Sequence, residues 1–130
     1  MSHAPEATAE LKALVLEILR PHVGRENRIY RSDLVAEVAR RLQVEPDERL
    51  DRNIRDAIEE ARGEPGEGST VCSSSRQGGG YWQAGNADEL EASISEEEGR
   101  GHSILTKTSS QRRHGLEWLR ARPFEQARLL

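Results

Sequence analysis

The chain has 130 residues, 35% of them hydrophobic and 32% charged, which predicts one small domain with an appended element and leaves too little apolar material for two domains. Its one cysteine excludes an intramolecular disulfide, and no apolar run reaches the roughly 18 residues that cross a membrane, so we expect a cytoplasmic protein without a secretory signal. The formal net charge of −4 counts against nucleic-acid binding unless the charges are sorted along the chain.

A first helix follows a flexible lead at residues 1–7. Thr8 is a suitable N-terminal cap, and Pro21 disfavours helical geometry at Arg20, so the helix is expected to end there. Its apolar residues recur at the spacing of one helix face. They are Leu11, Leu14, Val15, Ile18 and Leu19.

A very short strand at Ile29 and Tyr30 precedes a second predicted helix. Ser32 is the expected cap of that helix, and Asp33 lies favourably in its positively polarised first turn. The expected buried face consists of Leu34, Val35, Val38 and Leu42.

A third helix begins between Asp47 and Asp51 and ends near Arg62, followed by Gly63 as a left-handed cap. One face is apolar and the opposite face is charged. The apolar face consists of Leu50, Ile54, Ala57, Ile58 and Ala61.

A hairpin follows the third helix, with strands at residues 70–73 and 81–83 and a polar, glycine-rich loop between them. Asn86 then caps a fourth helix over residues 87–98, in which Leu90 and Ile94 are the clearest apolar positions. The rest of the chain predicts a helix-rich segment of unknown continuity that ends at Pro123.

The order of these elements, with two local motifs, resembles a known family. The stretch RNIRDAIEE at residues 52–60, followed by a hairpin that ends GGYW at residues 79–82, is similar to winged helix-turn-helix domains of bacterial and phage regulators. Biotin-repressor-type and DeoR-type domains and the small winged-helix proteins of phages share this pattern. The resemblance covers about residues 11–83, and the segments 43–50 and 64–69 are longer than is usual in the family.

The resemblance implies a mainly α fold with a small β-hairpin, an α+β class. Residues 8–85 would form the winged-helix DNA-binding domain, and residues 86–130 a C-terminal helical segment that serves as an association arm. The third helix would enter the major groove of double-stranded DNA, where arginine can read guanine and asparagine can read adenine. The residues placed to do so are Arg49, Arg52, Asn53 and Arg55.

Five further residues are expected to contact the DNA outside the major groove. Ser75 and Arg76 lie on the hairpin loop, which corresponds to the wing and would lay Arg76 beside the minor groove or a phosphate. Arg31 and Ser32 lie at the start of the second helix, and they are expected to contact phosphates together with Arg28. The alternative interpretation is a solvated charged surface. In that case Arg52 would pair with Asp56, and Arg55 with Glu59, within the third helix.

No catalytic or metal-binding pattern is evident, so we expect no enzyme activity, no cofactor, no metal and no small-molecule ligand. The histidines are scattered over polar segments, and no serine lies in a nucleophile elbow. Cys72 is expected to be a small strand residue, with a reactive thiol as the alternative.

The charges are sorted in the C-terminal segment. Residues 86–98 hold six acids and no base, whereas residues 99–130 hold seven bases and two acids. Two antiparallel copies would therefore set Glu96, Glu97 and Glu98 against Arg112 and Arg113, which predicts a homodimer; the alternative is a basic tail that adds non-specific DNA affinity.

The expected function is double-stranded DNA binding, by a transcription regulator or by a replication or recombination accessory factor of a phage or mobile element. Two other classes remain open. One is a winged-helix adaptor that binds host polymerase or replication proteins without DNA, and the other is a structural component of a phage particle.

Overall fold

The fold is that of a mainly helical α+β protein with one small antiparallel sheet. A computed structural model describes residues 9–74, 79–98 and 105–121. It describes the side chains of all these residues except 105–108. In chain order the elements are α1 (Ala9–Leu19), α2 (Arg31–Leu42), α3 (Glu48–Arg62), β1 (Val71–Ser73), β2 (Tyr81–Gln83), α4 (Ala87–Glu98) and α5 (Leu105–Ala121), with 3-10 turns at Arg25–Asn27 and Glu67–Thr70.

Asn86 caps α4 as predicted, and α3 begins within the predicted range 47–51, with Asp47 as its cap. Asp47 Oδ1 accepts a hydrogen bond of 2.8 Å from the backbone N–H of Leu50, and Asn86 Oδ1 accepts one of 2.9 Å from the N–H of Glu89. Helix α1 ends before Pro21, as predicted. The five apolar residues predicted for the buried face of α3 are all buried.

The predicted start of α2 and the predicted left-handed conformation of Gly63 are wrong, whereas α3 ends at Arg62 as predicted. Helix α2 begins at Arg31 rather than after Ser32, because the carbonyl of the extended residue Tyr30 already accepts a hydrogen bond of 2.9 Å from the N–H of Leu34. Gly63 is right-handed, with φ −83°, because its N–H and the N–H of the next residue continue the turn of α3. Thr8, the lead and Pro123 lie outside the described residues.

The hairpin pairs Cys72 with Trp82 and Ser73 with Tyr81 in antiparallel register. The predicted strand at residues 29–30 is reduced to a single bridge, in which Ile29 and Tyr81 exchange two backbone hydrogen bonds of 2.9 Å. Ile29 therefore pairs with the β2 edge of the sheet. Because α2 begins two residues later, this bridge places the start of α2 beside the hairpin.

Both faces of the hairpin are buried. Residues that pair across two strands point to the same face and successive residues alternate, so Val71 and Tyr81 face one side while Cys72 and Trp82 face the other. Val71 belongs to the core formed with α1, α2 and α3. Cys72 and Trp82 belong to a second cluster with residues of α4 and α5. The hairpin is thus the middle of three layers.

The segment after the hairpin folds back as two helices that pack against each other and against the hairpin. Arg112 of α5 lies 2.9 Å from Glu91 and 3.0 Å from Glu98, both on α4. Part of the charge pairing predicted between two copies is therefore formed within one chain. The homodimer stays a prediction, but it no longer has these pairs to support it.

A buried polar cluster joins the three layers. Arg62, at the end of α3, is 1% exposed; its guanidinium forms an ion pair with Glu97 of α4 and donates a hydrogen bond of 3.1 Å from Nε to the carbonyl of Val71. The same carbonyl accepts a bond of 2.9 Å from Nε2 of the buried Gln111 on α5. The carbonyl of Val71 thus joins α3 to α5, and the ion pair between Arg62 and Glu97 joins α3 to α4.

Removing the buried carboxylate is expected to destabilise the fold strongly. Glu97→Ala leaves the buried guanidinium of Arg62 with only Glu59 among the described residues, 3.6 Å away and 40% exposed, as a counter-charge, and the loss of the buried partner is expected to cost about 3–5 kcal/mol in the free energy of unfolding. Glu91→Ala is the matched control, since Glu91 also pairs with an arginine but is 40% exposed, and its loss should cost about 1 kcal/mol or less. Urea unfolding of both variants checks this; equal losses would contradict it.

Gly115 lies in the interior of α5, where alanine normally favours a helix by up to about 1 kcal/mol. A Cβ at this position would lie 2.8 Å from the backbone oxygen of Ser69 and 2.5 Å from Leu90 Cδ2. We expect Gly115→Ala to lower stability by about 1–3 kcal/mol through overpacking. Ser109→Ala, at an exposed position of the same helix, should leave stability unchanged or raise it slightly. Thermal unfolding measures both effects, and stabilisation by Gly115→Ala would refute the packing argument.

Candidate nucleic-acid interface

The charged face of α3 is open to solvent. Three of the sequence-predicted residues, Arg49, Arg52 and Arg55, are exposed. Among the described residues, Arg49 and Arg52 form no ion pair, so the alternative Arg52–Asp56 pairing is not present. Asn53 is half-buried and engaged in an interaction of its own, which makes it less available to a ligand than the arginines.

An arginine pair meets at the junction of α2 and α3. Arg31, on the first turn of α2, has its Nε 3.5 Å from Asp51 Oδ1, and Arg55 has its Nε 3.8 Å from Asp51 Oδ2. Arg55 thus contacts the acid one turn earlier in α3 instead of Glu59, which lies 3.6 Å from Arg62. Asp51 lies within the first turn of α3, whose N-terminal cap is Asp47.

The hairpin adjoins this junction through Tyr81. Burial raises the pKa of the Tyr81 hydroxyl, and the nearby charges that act on it include Arg31, Asp51 and Arg55. The tyrosine itself packs against the core of the first three helices. The structure therefore brings the start of α2, the N-terminal half of α3 and the loop end of the hairpin to one place.

A second group of cationic side chains lies on the connection between α1 and α2. The guanidinium of Arg28 lies 5.2 Å from the ring centre of Tyr30, and that of Arg25 lies 5.8 Å from the ring centre of Trp82. Tyr30 is 43% exposed, the one large hydrophobic side chain so exposed among the described residues. A Cβ at Gly80 would lie 3.1 Å from Arg28 Cδ, which places this arginine against the hairpin.

Some of the predicted site residues lie close together in the structure, and two others are outside the described residues. Arg31 and Arg55 share one acid, and Ser32 is exposed beside Arg31 within the first turn of α2. Ser75 and Arg76 lie outside the described residues. The sequence reasoning missed Arg25 and Tyr30, whose only local signal is their position in a polar connection between two helices.

The acidic block of α4 is largely engaged within the chain. Glu89 accepts a hydrogen bond of 2.9 Å from the indole N–H of Trp82, Glu97 pairs with Arg62, and Glu91 and Glu98 pair with Arg112. Arg62 and Arg112 therefore neutralise two of the six acidic charges of α4 locally, although both arginines are already counted in the net charge of −4. The remaining acidic charge of α4 lies on the side of the hairpin opposite α3.

The described residues also bear on metal binding and on membrane insertion. His22 has its Nδ1 2.8 Å from the carbonyl of Asn27, an internal contact. No three metal-ligating side chains converge among the described residues, and no helix described there combines the length and the apolar character needed to cross a membrane.

Comparison with known proteins gives no match. No protein-family model, no curated protein and no solved structure is significantly similar to this chain. The interpretation of the interface therefore depends on the geometry and electrostatics described above.

Cys72 is buried as predicted, and desolvation raises the pKa of its thiol to about 12. Because the thiolate is the reactive form, we expect the native protein to resist an aromatic disulfide reagent at pH 8 and the guanidinium-unfolded protein to react stoichiometrically within minutes. Absorbance of the released thiol measures both rates. Rapid reaction of the folded protein would show that the second cluster opens readily.

Proposed function

We propose that the chain folds as a winged helix-turn-helix domain and binds double-stranded DNA, with α3 in the major groove and the hairpin loop as the wing. The element order supports this: α1, the bridge at Ile29, α2, α3 and the hairpin follow one another as in that class. The observation that carries the proposal is the meeting of exposed arginines from α2 and α3 beside the hairpin.

The geometry suits a duplex more than a protein surface. An α-helix fits the major groove, and Arg49 and Arg52 project from the first half of α3 without ion pairs to other described residues. Arginines without counter-charges are available to guanine edges and phosphates. Arg31 and the exposed backbone of the first turn of α2 are suited to a neighbouring phosphate.

The alternative adaptor function is weaker on one specific point. An adaptor would use the acidic block of residues 86–98 for a protein partner. Four of the six carboxylates in that block instead contact Trp82, Arg62 and Arg112 of the same chain. We therefore place DNA binding first and leave protein binding as an outcome of the experiment below.

Heparin and a random-sequence duplex separate the two functions. A DNA-binding protein should be retained on both at low salt, with an apparent affinity that falls steeply as salt rises because counterions are released. Absence of retention at 50 mM salt would reject DNA binding and leave the adaptor. Selection of duplexes from a random pool by the wild-type protein would then supply a preferred sequence.

Arg52→Ala is expected to weaken binding to the selected duplex by about 5- to 150-fold, the range of one lost bidentate base contact, and to relax discrimination at one base pair. Arg113→Ala removes the same charge from an exposed position of α5, on the opposite side of the hairpin, and should change affinity little. Fluorescence anisotropy at fixed salt measures both variants. Equal effects of the two would contradict the docking of α3.

A further inference from the structure

We propose that Asp51 is a specificity-determining residue of the interface, which acts by positioning Arg31 and Arg55 and not by touching the ligand. This inference rests on the proposed DNA-binding function. It adds to it an acidic residue at the centre of the arginine-bearing surface.

Asp51 lies on α3 and contacts an arginine of α2, Arg31, as well as Arg55 of its own helix. Its side chain is 25% exposed, while those of Arg31 and Arg55 are 56% and 48% exposed. The carboxylate therefore lies deeper than the two guanidinium groups. Among the described residues, Oδ1 of Asp51 is sequestered from solvent and accepts no hydrogen bond within normal geometry.

The two ion pairs are long. Charge-assisted N–H···O bonds are about 2.7–2.9 Å, whereas these pairs measure 3.5 and 3.8 Å. Such pairs orient the arginines without locking them, because their attraction is spread over two partners and little hydrogen bonding is lost when one guanidinium turns outward. Asp51 can therefore release either arginine to a ligand group that binds the guanidinium more strongly.

A carboxylate in this position costs affinity for every duplex, since it repels phosphates. It also competes with phosphates for the two guanidinium groups. A phosphate can also bind a guanidinium through two oxygens, so the discrimination has to come from orientation. A guanine edge accepts two in-plane hydrogen bonds from a guanidinium that Asp51 holds in one direction, whereas phosphates bind a guanidinium from many directions and gain nothing from that orientation. Asp51 should therefore reduce non-specific binding more than specific binding, and so increase the ratio between them.

Asp51→Asn tests this with the duplex selected by the wild-type protein and a random duplex of equal length. We expect affinity for the random duplex to rise about two- to fivefold, as one repulsive charge is removed, and the specific-to-random ratio to fall about fivefold or more. Asp56→Asn is the matched control: it makes the same charge change at an exposed position of α3 that forms no ion pair with described residues. It should raise both affinities alike and leave the ratio unchanged.

The outcomes are distinguishable. If the wild-type protein binds neither duplex, the proposed function itself fails. If the wild type discriminates but the Asp51 and Asp56 variants behave alike, DNA binding stands and the role of Asp51 is wrong. If Asp51→Asn lowers both affinities in proportion to a loss of thermal stability, Asp51 is only a tie between α2 and α3, and the proposal is overturned.

A second set of variants covers the case in which Asp51→Asn does not fold. Arg31→Gln and Arg55→Gln are changes at exposed positions. Arg55→Gln should lower the specific-to-random ratio about fivefold or more, because Arg55 lies on the helix proposed to read bases, whereas Arg31→Gln should lower both affinities alike, because Arg31 is proposed to contact a phosphate. Loss of affinity without loss of the ratio in Arg55→Gln would show that Arg55 contacts only phosphates. That result would also reject the proposed role of Asp51.

Discussion

The structure depends on a guanidinium group that is buried between layers. A two-stranded hairpin alone is marginally stable in water, and here it is held by packing on both faces. Arg62 reaches through from α3 to the carbonyl of Val71 and to Glu97, and Gln111 approaches the same carbonyl from α5. Burying this charge without its partners would cost several kcal/mol, so the three layers are mutually required.

The candidate interface contains none of these buried groups, but its position depends on the three layers. The layers fix the hairpin beside α3, and the bridge between Ile29 and Tyr81 fixes the start of α2 against the hairpin. The arginines of the two helices then converge from rigid elements and not from loops. A surface of this kind keeps its side chains in place before a ligand arrives, which lowers the entropy lost on binding.

Much of the fold could be predicted from the sequence because its signals are local. Apolar stripes, Asp47, Asn86 and the glycine-rich hairpin loop gave the helices and strands, with errors of one or two residues where Tyr30 replaced Ser32 as the cap. Arg62 could not be predicted, since an arginine at a helix end is normally solvated and its partner lies 35 residues away in an acidic run. The pairing at Asp51 was missed for the same reason, because Arg31 approaches it from another helix.

The back-packed position of α5 has a consequence for how the chain is made. Leu119 packs against the cluster that contains Trp82, and Gln111 is buried beside the first strand. During synthesis on the ribosome, the first three helices and the hairpin emerge with one face of that hairpin uncovered until α4 and α5 follow. A chain that lacks the segment from residue 105 onward would leave the indole and aliphatic side chains of that face partly uncovered, and would therefore be a target for chaperones and proteases.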